Sequence, residues 1–421
     1  MLGCNLLRET QTKKRKKQNY SRSDHCRGFE IGLVIGRWRP SIIIQTRDLS
    51  KPFKLILWLL LLPLVWLFGL FGKSRQLLVA IDFGTSGIKL VQLAEVAGKL
   101  VLKKTDFEEL APEVIVDGAI MNMDALGEAL VRLVERSGIK GRKVAFGVSG
   151  HSVISKIISL PQMSAGELAD SISWEAEQYI PFDIREVYID SEVIDPNAGS
   201  GQMDVLLTAA KKDLVNDYIQ CLVDAGLRPR LANVESYAVL NMVDSLYGLP
   251  SDKTVAVVDI GACMINIAIA TRGKLVFIRD ISMGSGFLTE DIQRQFAVSY
   301  SEAEQLQSNP TGIDSNITAR KVEELTMNAA KMLVTEIQRS IEFFKAVSAG
   351  EEIDSIYLFG GGSNMLGIRP ALEERFPESK LLTGDCFAKL RNADGTITGI
   401  EMPYGRMPRF AVAVGLALQK G

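Results

Sequence analysis

The feature that most restricts the fold is a repeat. The segment VAIDFGTSGIKLVQL, Val79 to Leu93, has an apolar strand pattern broken at Asp82, Gly84, Thr85, Ser86 and Gly87, then resumed with Lys89 inside it. The same plan returns 177 residues later, where Asp259 and Gly261 interrupt TVAVVDIGACMINIAIAT. A third strand follows each pair, KLVLKKTDF after the Ala97-Gly98 turn and KLVFIRDI after the TRGK turn. Helices and a closing strand, KVAFGVS in one copy and SIYLFGGG in the other, complete each unit. A unit written twice is expected to give two related lobes with a ligand in the cleft between them.

The interruptions have a chemical reading. An Asp-x-Gly turn between strands sets backbone N–H groups on one concave side, and glycine admits phosphate where a side chain would clash. Thr85 and Ser86 can donate to the same oxygens. An acid at the strand end would repel bare phosphate, so Asp82 and Asp259 are expected to hold Mg2+ through water. Either turn alone reads more readily as an ordinary glycine hairpin; two copies on matched scaffolds do not. A third element, YLFGGGSNMLGI from Tyr357 to Ile368, places three glycines after a strand and before a helix expected to begin near Asn364 to Leu366. That arrangement suits close backbone approach to a nucleotide. The chain has no GxxxxGK[ST] loop and no GxGxxG fingerprint.

Between the repeats lies a block, about Ser152 to Leu231, that reads strand, helix (Ala165 to Tyr179), two strands and a second helix (Leu214 to Ala225). Ser164 with Glu167 forms a capping box for its first helix, and Pro181 stops it. It is expected as an inserted α+β subdomain. Elsewhere, Leu126, Leu130 and Leu133 mark an amphipathic helix near Met123 to Glu135, and the apolar stripe from Leu325 to Phe344 reads as core.

Charge is unevenly spread. Residues 1–54 carry 13 Lys and Arg against 4 Asp and Glu, which leaves 35 bases against 46 acids in the remainder. The acidic body argues against a nucleic-acid partner. Five scattered cysteines, no CxxC pair and two histidines argue against a zinc site or a disulfide framework and fit a reducing cytoplasm. The uncharged stretch Leu55 to Phe71 is at the lower limit for a membrane span. Residues 1–66 therefore read either as an extension with a membrane-associating segment or as translation from upstream of the true start.

Taken together, IDFGTSGIK, VDIGACMIN and LFGGGSNML resemble the two phosphate motifs and the adenosine motif of the actin-like ATPase superfamily. More narrowly, LPQMSAGELADSISWEAEQYIPF, GLRPRLANVESYAVLNMV, SMGSGFLTEDIQRQF and FAVAVGLAL resemble the PilM family of type IV pilus assembly proteins, from about Leu67 to Gly421. The resemblance implies an α/β, actin-like (ribonuclease H-like) duplicated two-lobe ATPase fold with an inserted FtsA-type α+β subdomain. The implied divisions are an extension at 1–66, a first lobe at 67–151, the insert at 152–231, and a second lobe with a closing C-terminal helix at 232–421.

The resemblance also assigns residues. Asp82, Gly84, Thr85, Ser86 and Lys89 would form the first phosphate grip, and Asp259, Gly261 and Asn266 the second. Gly360, Gly361, Gly362 and Ser363 would border the adenosine of ATP, and Glu235 would sit on the helix connecting the lobes. Asp82 and Asp259 would carry Mg2+, and no catalytic residue is assigned. At the second turn Ala262, Cys263 and Met264 offer no hydroxyl, and Asn233 stands where the family often has an acid, so ATP binding is expected with weak or no hydrolysis. Cys263 reads as a small turn residue and His151 as structural.

The implied role is a nucleotide-dependent switch of pilus biogenesis and twitching motility, cytoplasmic and peripheral on the inner membrane. A PilN-like tail is the implied partner, along with other platform proteins, and self-association is left open. Met163, Trp174, Ile180 and Phe182 are candidates for the partner groove, although core packing explains them equally well. An FtsA-like division filament and a small-molecule kinase of the same superfamily are the alternatives.

Overall fold

The structure, a computed structural model, describes residues 75–96, 99–139, 142–310, 316–348, 350–390 and 404–419. The expected extension at 1–66, with Leu55 to Phe71, lies outside them. Among the described residues no helix is long and apolar enough to cross a membrane.

The repeat is realised as two five-stranded sheets of one plan. In the first lobe β1 (Arg75–Gly84), β2 (Gly87–Val96) and β3 (Lys99–Glu109) form an antiparallel meander. A short hairpin follows, β4 (Ile115–Val116) with β5 (Ala119–Ile120). After helix α1 (Met123–Ser137), β6 (Lys143–Val148) returns parallel to β1. Asn122 caps α1 by accepting from the Ala125 N–H at 3.0 Å, and Gly138 ends it in the left-handed region. Leu126, Leu130 and Leu133 are fully buried, which contributes roughly 1.5–3 kcal/mol each and fixes the helix by its apolar face.

The inserted subdomain begins at β7 (Val153–Pro161), which pairs with β9 (Gln202–Lys211), as does β8 (Val187–Gly199). Helix α2 (Ala165–Ala176) starts at the expected capping box, Glu167 N–H to Ser164 Oγ at 3.3 Å and Ser164 N–H to Glu167 Oε2 at 2.7 Å. It ends at Ala176, short of Tyr179. Leu168, Ile172 and Ala176 turn one face of α2 onto the three strands.

The boundary expected at residue 231 needs correction. Helix α3 (Lys212–Asp224) and strand β10 (Arg228–Val234) belong to the first lobe, because β10 extends its sheet beside β6 in the order β10-β6-β1-β2-β3. The insert is therefore the segment from β7 to β9.

The second lobe follows helix α4 (Glu235–Leu246). Its strands β11 (Thr254–Ile260), β12 (Ile265–Thr271) and β13 (Lys274–Ile281) repeat the meander. Helices α5 (Gly286–Phe296), α6 (Tyr300–Ser308) and α7 (Asn316–Val347) pack on one face, with Val322, Leu333, Ile337, Ile341 and Phe344 in the core there. Strand β14 (Ser355–Phe359), helix α8 (Ile368–Arg375) and strand β15 (Lys380–Thr383) complete the order β13-β12-β11-β14-β15.

The last helix, α9 (Ala411–Ala417), also departs from expectation. It packs on β1, β2 and β6 of the first lobe and on α4, so it closes the first lobe rather than the second. A single apolar core runs from the first sheet through α9 and α4 to the second sheet. At the crossing of the two helices Gly415 lies so close that a Cβ there would stand 1.9 Å from the Ala238 carbonyl oxygen.

Candidate functional site

The cavity between the lobes is lined by residues from both hairpins. In the first, Asp82 on β1 stands directly opposite Lys89 on β2, and the Lys89 ammonium meets the Asp82 carboxylate at 3.3 Å with both side chains buried. In the second, Asp259 on β11 stands opposite Asn266 on β12. The two lobes thus present an acid and its cross-strand neighbour at matching positions. Side chains opposed across a ladder share one face, so Lys89 and Asn266 reach the cavity beside their acids.

Eleven of the expected residues line this cavity: Asp82, Gly84, Thr85, Ser86, Lys89, Glu235, Asp259, Gly261, Asn266, Gly360 and Gly361. Glu235 begins α4, the helix between the lobes, as expected. Gly362 and Ser363 stand behind the lining. A Cβ on Gly362 would meet Ile260 Cγ2 at 2.5 Å, and the Ser363 hydroxyl donates to the Gly360 carbonyl at 2.7 Å. They build the turn rather than border the space. The turn itself is a 3-10 segment, Gly361–Asn364, with α8 starting only at Ile368. Gly360, at φ +83°, lies where a Cβ would be 2.2 Å from the Ile260 carbonyl oxygen, so only glycine brings the third motif against the second hairpin.

The sequence reading missed Ser149, Ser285, Glu304 and Arg409, which also line the cavity. Ser285 supplies from the segment before α5 the hydroxyl that the second turn lacks. Its N–H donates to the Gly261 carbonyl at 2.9 Å, which holds that segment against the turn. Arg409, just before α9, pairs with Glu304 at 3.2 Å and lies 5.1 Å over the Phe107 ring, so it touches both lobes. Asn233 is fully buried and its side-chain oxygen accepts from the Val234 N–H at 2.8 Å, which accounts for it as a local cap.

The electrostatics are those of a site short of positive charge. Burial pushes the Asp82 carboxyl up, with the Lys89 pair opposing. Burial and then the Asp82 charge push Asp259 up to about 7. Burial and then Asp82 raise Glu235 to about 8, with Lys89 and a hydrogen bond from Ser149 opposing. A cation would lower all three. Asn266, 5% exposed, has a side-chain oxygen with no hydrogen-bond partner, and a Cβ on Gly84 would stand 2.2 Å from the Lys89 nitrogen. An orphaned acceptor, a glycine cradle beside an ammonium and three buried carboxyls fit a hydrated cation carrying phosphate. Among the described residues no three His, Cys, Asp or Glu side chains are grouped to hold a metal by themselves, so water and phosphate would complete its shell.

Of the partner-groove candidates, Ile180 is buried in the insert's own core, with Met163 and Phe182 half-buried against it. Lys211 lies over the Phe182 ring at 4.4 Å. Trp174 is 76% exposed. The structure therefore places Ile180 in packing and leaves Trp174 on the surface.

His151 has partners the sequence did not indicate. Its Nε2 lies 3.1 Å from the Ser282 hydroxyl in the second lobe and its Nδ1 3.9 Å from Asp117 in the first.

A family model for the type IV pilus assembly protein PilM matches residues 80–421. The chain is similar to a solved structure of a PilM-PilN type IV pilus biogenesis complex, at 25% identity and a TM-score of 0.69, over 81% of this chain and 97% of that one. It is more distantly similar to the ethanolamine utilization protein EutJ from Carboxydothermus hydrogenoformans, at 16% identity and a TM-score of 0.46, over 81% and 88%. A third similar structure, MreB 5 of Spiroplasma citri bound to AMPPNP, shares 13% identity and a TM-score of 0.42 over 75% and 93%. With its duplicated sheets, crossed central helices and inserted subdomain, the chain has the actin-like ATPase fold and belongs to the PilM family of type IV pilus assembly proteins.

Proposed function

We propose that this chain is an ATP-binding, cytoplasmic assembly protein of the inner-membrane pilus platform. What its cleft holds sets how its insert presents a surface to the N-terminal tail of a PilN-like protein. The observation that carries the reading is the matched pair of couples, Asp82 with Lys89 and Asp259 with Asn266, facing one cavity from two sheets of the same plan.

A bound Mg2+ would supply charge neutralisation between the phosphates and the two strand-end acids. Asp82 and Asp259 would hold it through water. Gly84, Thr85, Ser86 and Lys89 would take phosphate oxygens from the first lobe, and Gly261, Asn266 and Ser285 from the second. Gly360 and Gly361 would border the adenosine. The two hairpins would close on that ligand about the packed α4 and α9.

The similarity to a chain solved as a PilM-PilN complex supports a PilN-like partner, and with it a role in pilus biogenesis and twitching motility. Trp174 is the side chain most available to that partner. Calorimetric titration of a PilN-like tail peptide with and without Mg-ATP tests the reading. Affinities that differ at least tenfold between the two states are expected; absence of binding in both overturns it.

A further inference from the structure

Helix α7 carries apolar side chains on both of its faces. Val322, Leu333, Ile337, Ile341 and Phe344 lie in the core against the second sheet. On the opposite face Met332, Phe343 and Val347 are exposed, in one row with Glu336 and Arg339. Steps of three and four residues keep all five within roughly a quarter of the helix circumference. A surface helix is ordinarily polar on its outward face, and large apolar side chains gathered there mark an interaction surface. Phe343 is already ordered on it. Its ring centroid lies 6.1 Å from that of Phe277 and 5.8 Å from the Arg279 guanidinium, both on β13. Little rotamer freedom is left to lose on association.

The order of charges on this face selects the partner. Glu336 and Arg339 stand equally far on either side of the peptide bond that joins Ile337 to Gln338, and so do Met332 and Phe343. A second α7, antiparallel and related by a two-fold axis through that point, brings Glu336 against the partner's Arg339 and Met332 against the partner's Phe343, each contact made twice. Lys331 and Glu342, exposed and about three turns apart on one flank, fall nearly opposite each other in the same arrangement. A thioether against an aromatic ring and opposite charges in register both favour it. A parallel pairing would set Glu336 on Glu336 and Arg339 on Arg339, which like-charge repulsion opposes. Within one chain Arg339 donates to Glu336. An exposed pair of that kind contributes little by itself, so both groups remain available to a neighbour.

We infer that the outward face of α7 is a self-association surface, on which a second copy of this chain docks antiparallel about the Ile337–Gln338 peptide. The inference is independent of the nucleotide reading of the cleft. From Met332 to Phe343 the seam is ~17 Å long, which is short for the roughly 2,000 Å² or more that obligate dimers bury. The pairing is therefore reversible and set by concentration, and its charged contacts weaken as salt is raised.

Sedimentation of the full chain over a range of concentrations tests it, alongside the Glu336→Arg and Arg339→Glu variants and the double variant that carries both. All are surface substitutions, and each protein is expected to melt with the parent. The parent is expected to show a monomer–dimer equilibrium. Each single variant sets like charges together across the axis, and its dimer dissociation constant should rise at least tenfold. An equimolar mixture of the two single variants restores opposite charges at every contact and should dimerise within threefold of the parent, as should the double variant. Loss of a contact inside one chain would give no such rescue. If either single variant does not fold, the other compared with the double variant decides. A parent that stays monomeric at every concentration, whether the face is bare or taken by another protein or a lipid surface, overturns the inference. Single variants that dimerise as the parent does place the association elsewhere in the chain, and reversal without rescue excludes the antiparallel register; either result overturns it as well.

Discussion

Asp259 and Glu235 set the pH behaviour. Folded, their carboxyls hold a proton to about 7 and about 8, whereas in the unfolded chain they titrate near ~4. The folded state therefore binds more protons between those values, and stability without a cation falls as pH rises from about 4, the fall being complete above about 8. Mg-ATP held at Asp259 needs that acid ionised. Its affinity is expected to rise with pH over the same span, and binding at pH 6.5 to release protons, seen as a dependence of calorimetric heat on the buffer's ionisation enthalpy. Heats independent of buffer would contradict the assignment. Glu235→Gln mimics the protonated acid, so the variant should bind Mg-ATP within about threefold of the parent while gaining stability at pH 8. A large loss of affinity would mean that Glu235 acts as a charged ligand.

At the scale of elements, the central helices tolerate little change. Gly415→Ala puts a methyl group 1.9 Å from the Ala238 carbonyl oxygen, so α4 and α9 must part and a loss on the order of 3 kcal/mol in denaturant unfolding is expected. A loss within error would show that the crossing is loose. The hairpins, the capping box and the Leu126, Leu130, Leu133 face were legible because their signals are local: period two, period 3.6, and side chains three residues apart. The edge of the insert was not, since β10 is assigned by pairing with β6, a partner far away in sequence. Arg409 was invisible for the same reason, as it reaches the cleft from the far end of the chain. Ser285 could have been found: it lies in SMGSGF, a segment already matched to the family, and its hydroxyl fills the want noted at Ala262, Cys263 and Met264. Ile180 stayed open between core and partner groove in the sequence because an apolar side chain reads alike whether it meets its own strands or a partner.

For the whole molecule, the proposed function has two lobes of one plan grip a nucleotide, the packed α4 and α9 between them serve as the pivot, and the insert face the partner. Trp174→Ala should leave Mg-ATP affinity unchanged and weaken PilN-like tail binding at least tenfold, as large exposed aromatics do at interface centres. Equal tail affinity would move the partner surface elsewhere. The central claim is that the matched hairpins form one Mg-ATP site, and calorimetric titration of Mg-ATP into the parent and Asp82→Ala proteins tests it most directly. Saturable binding by the parent, weakened at least tenfold in Asp82→Ala, is the expected result; equal affinity in the two proteins would contradict it.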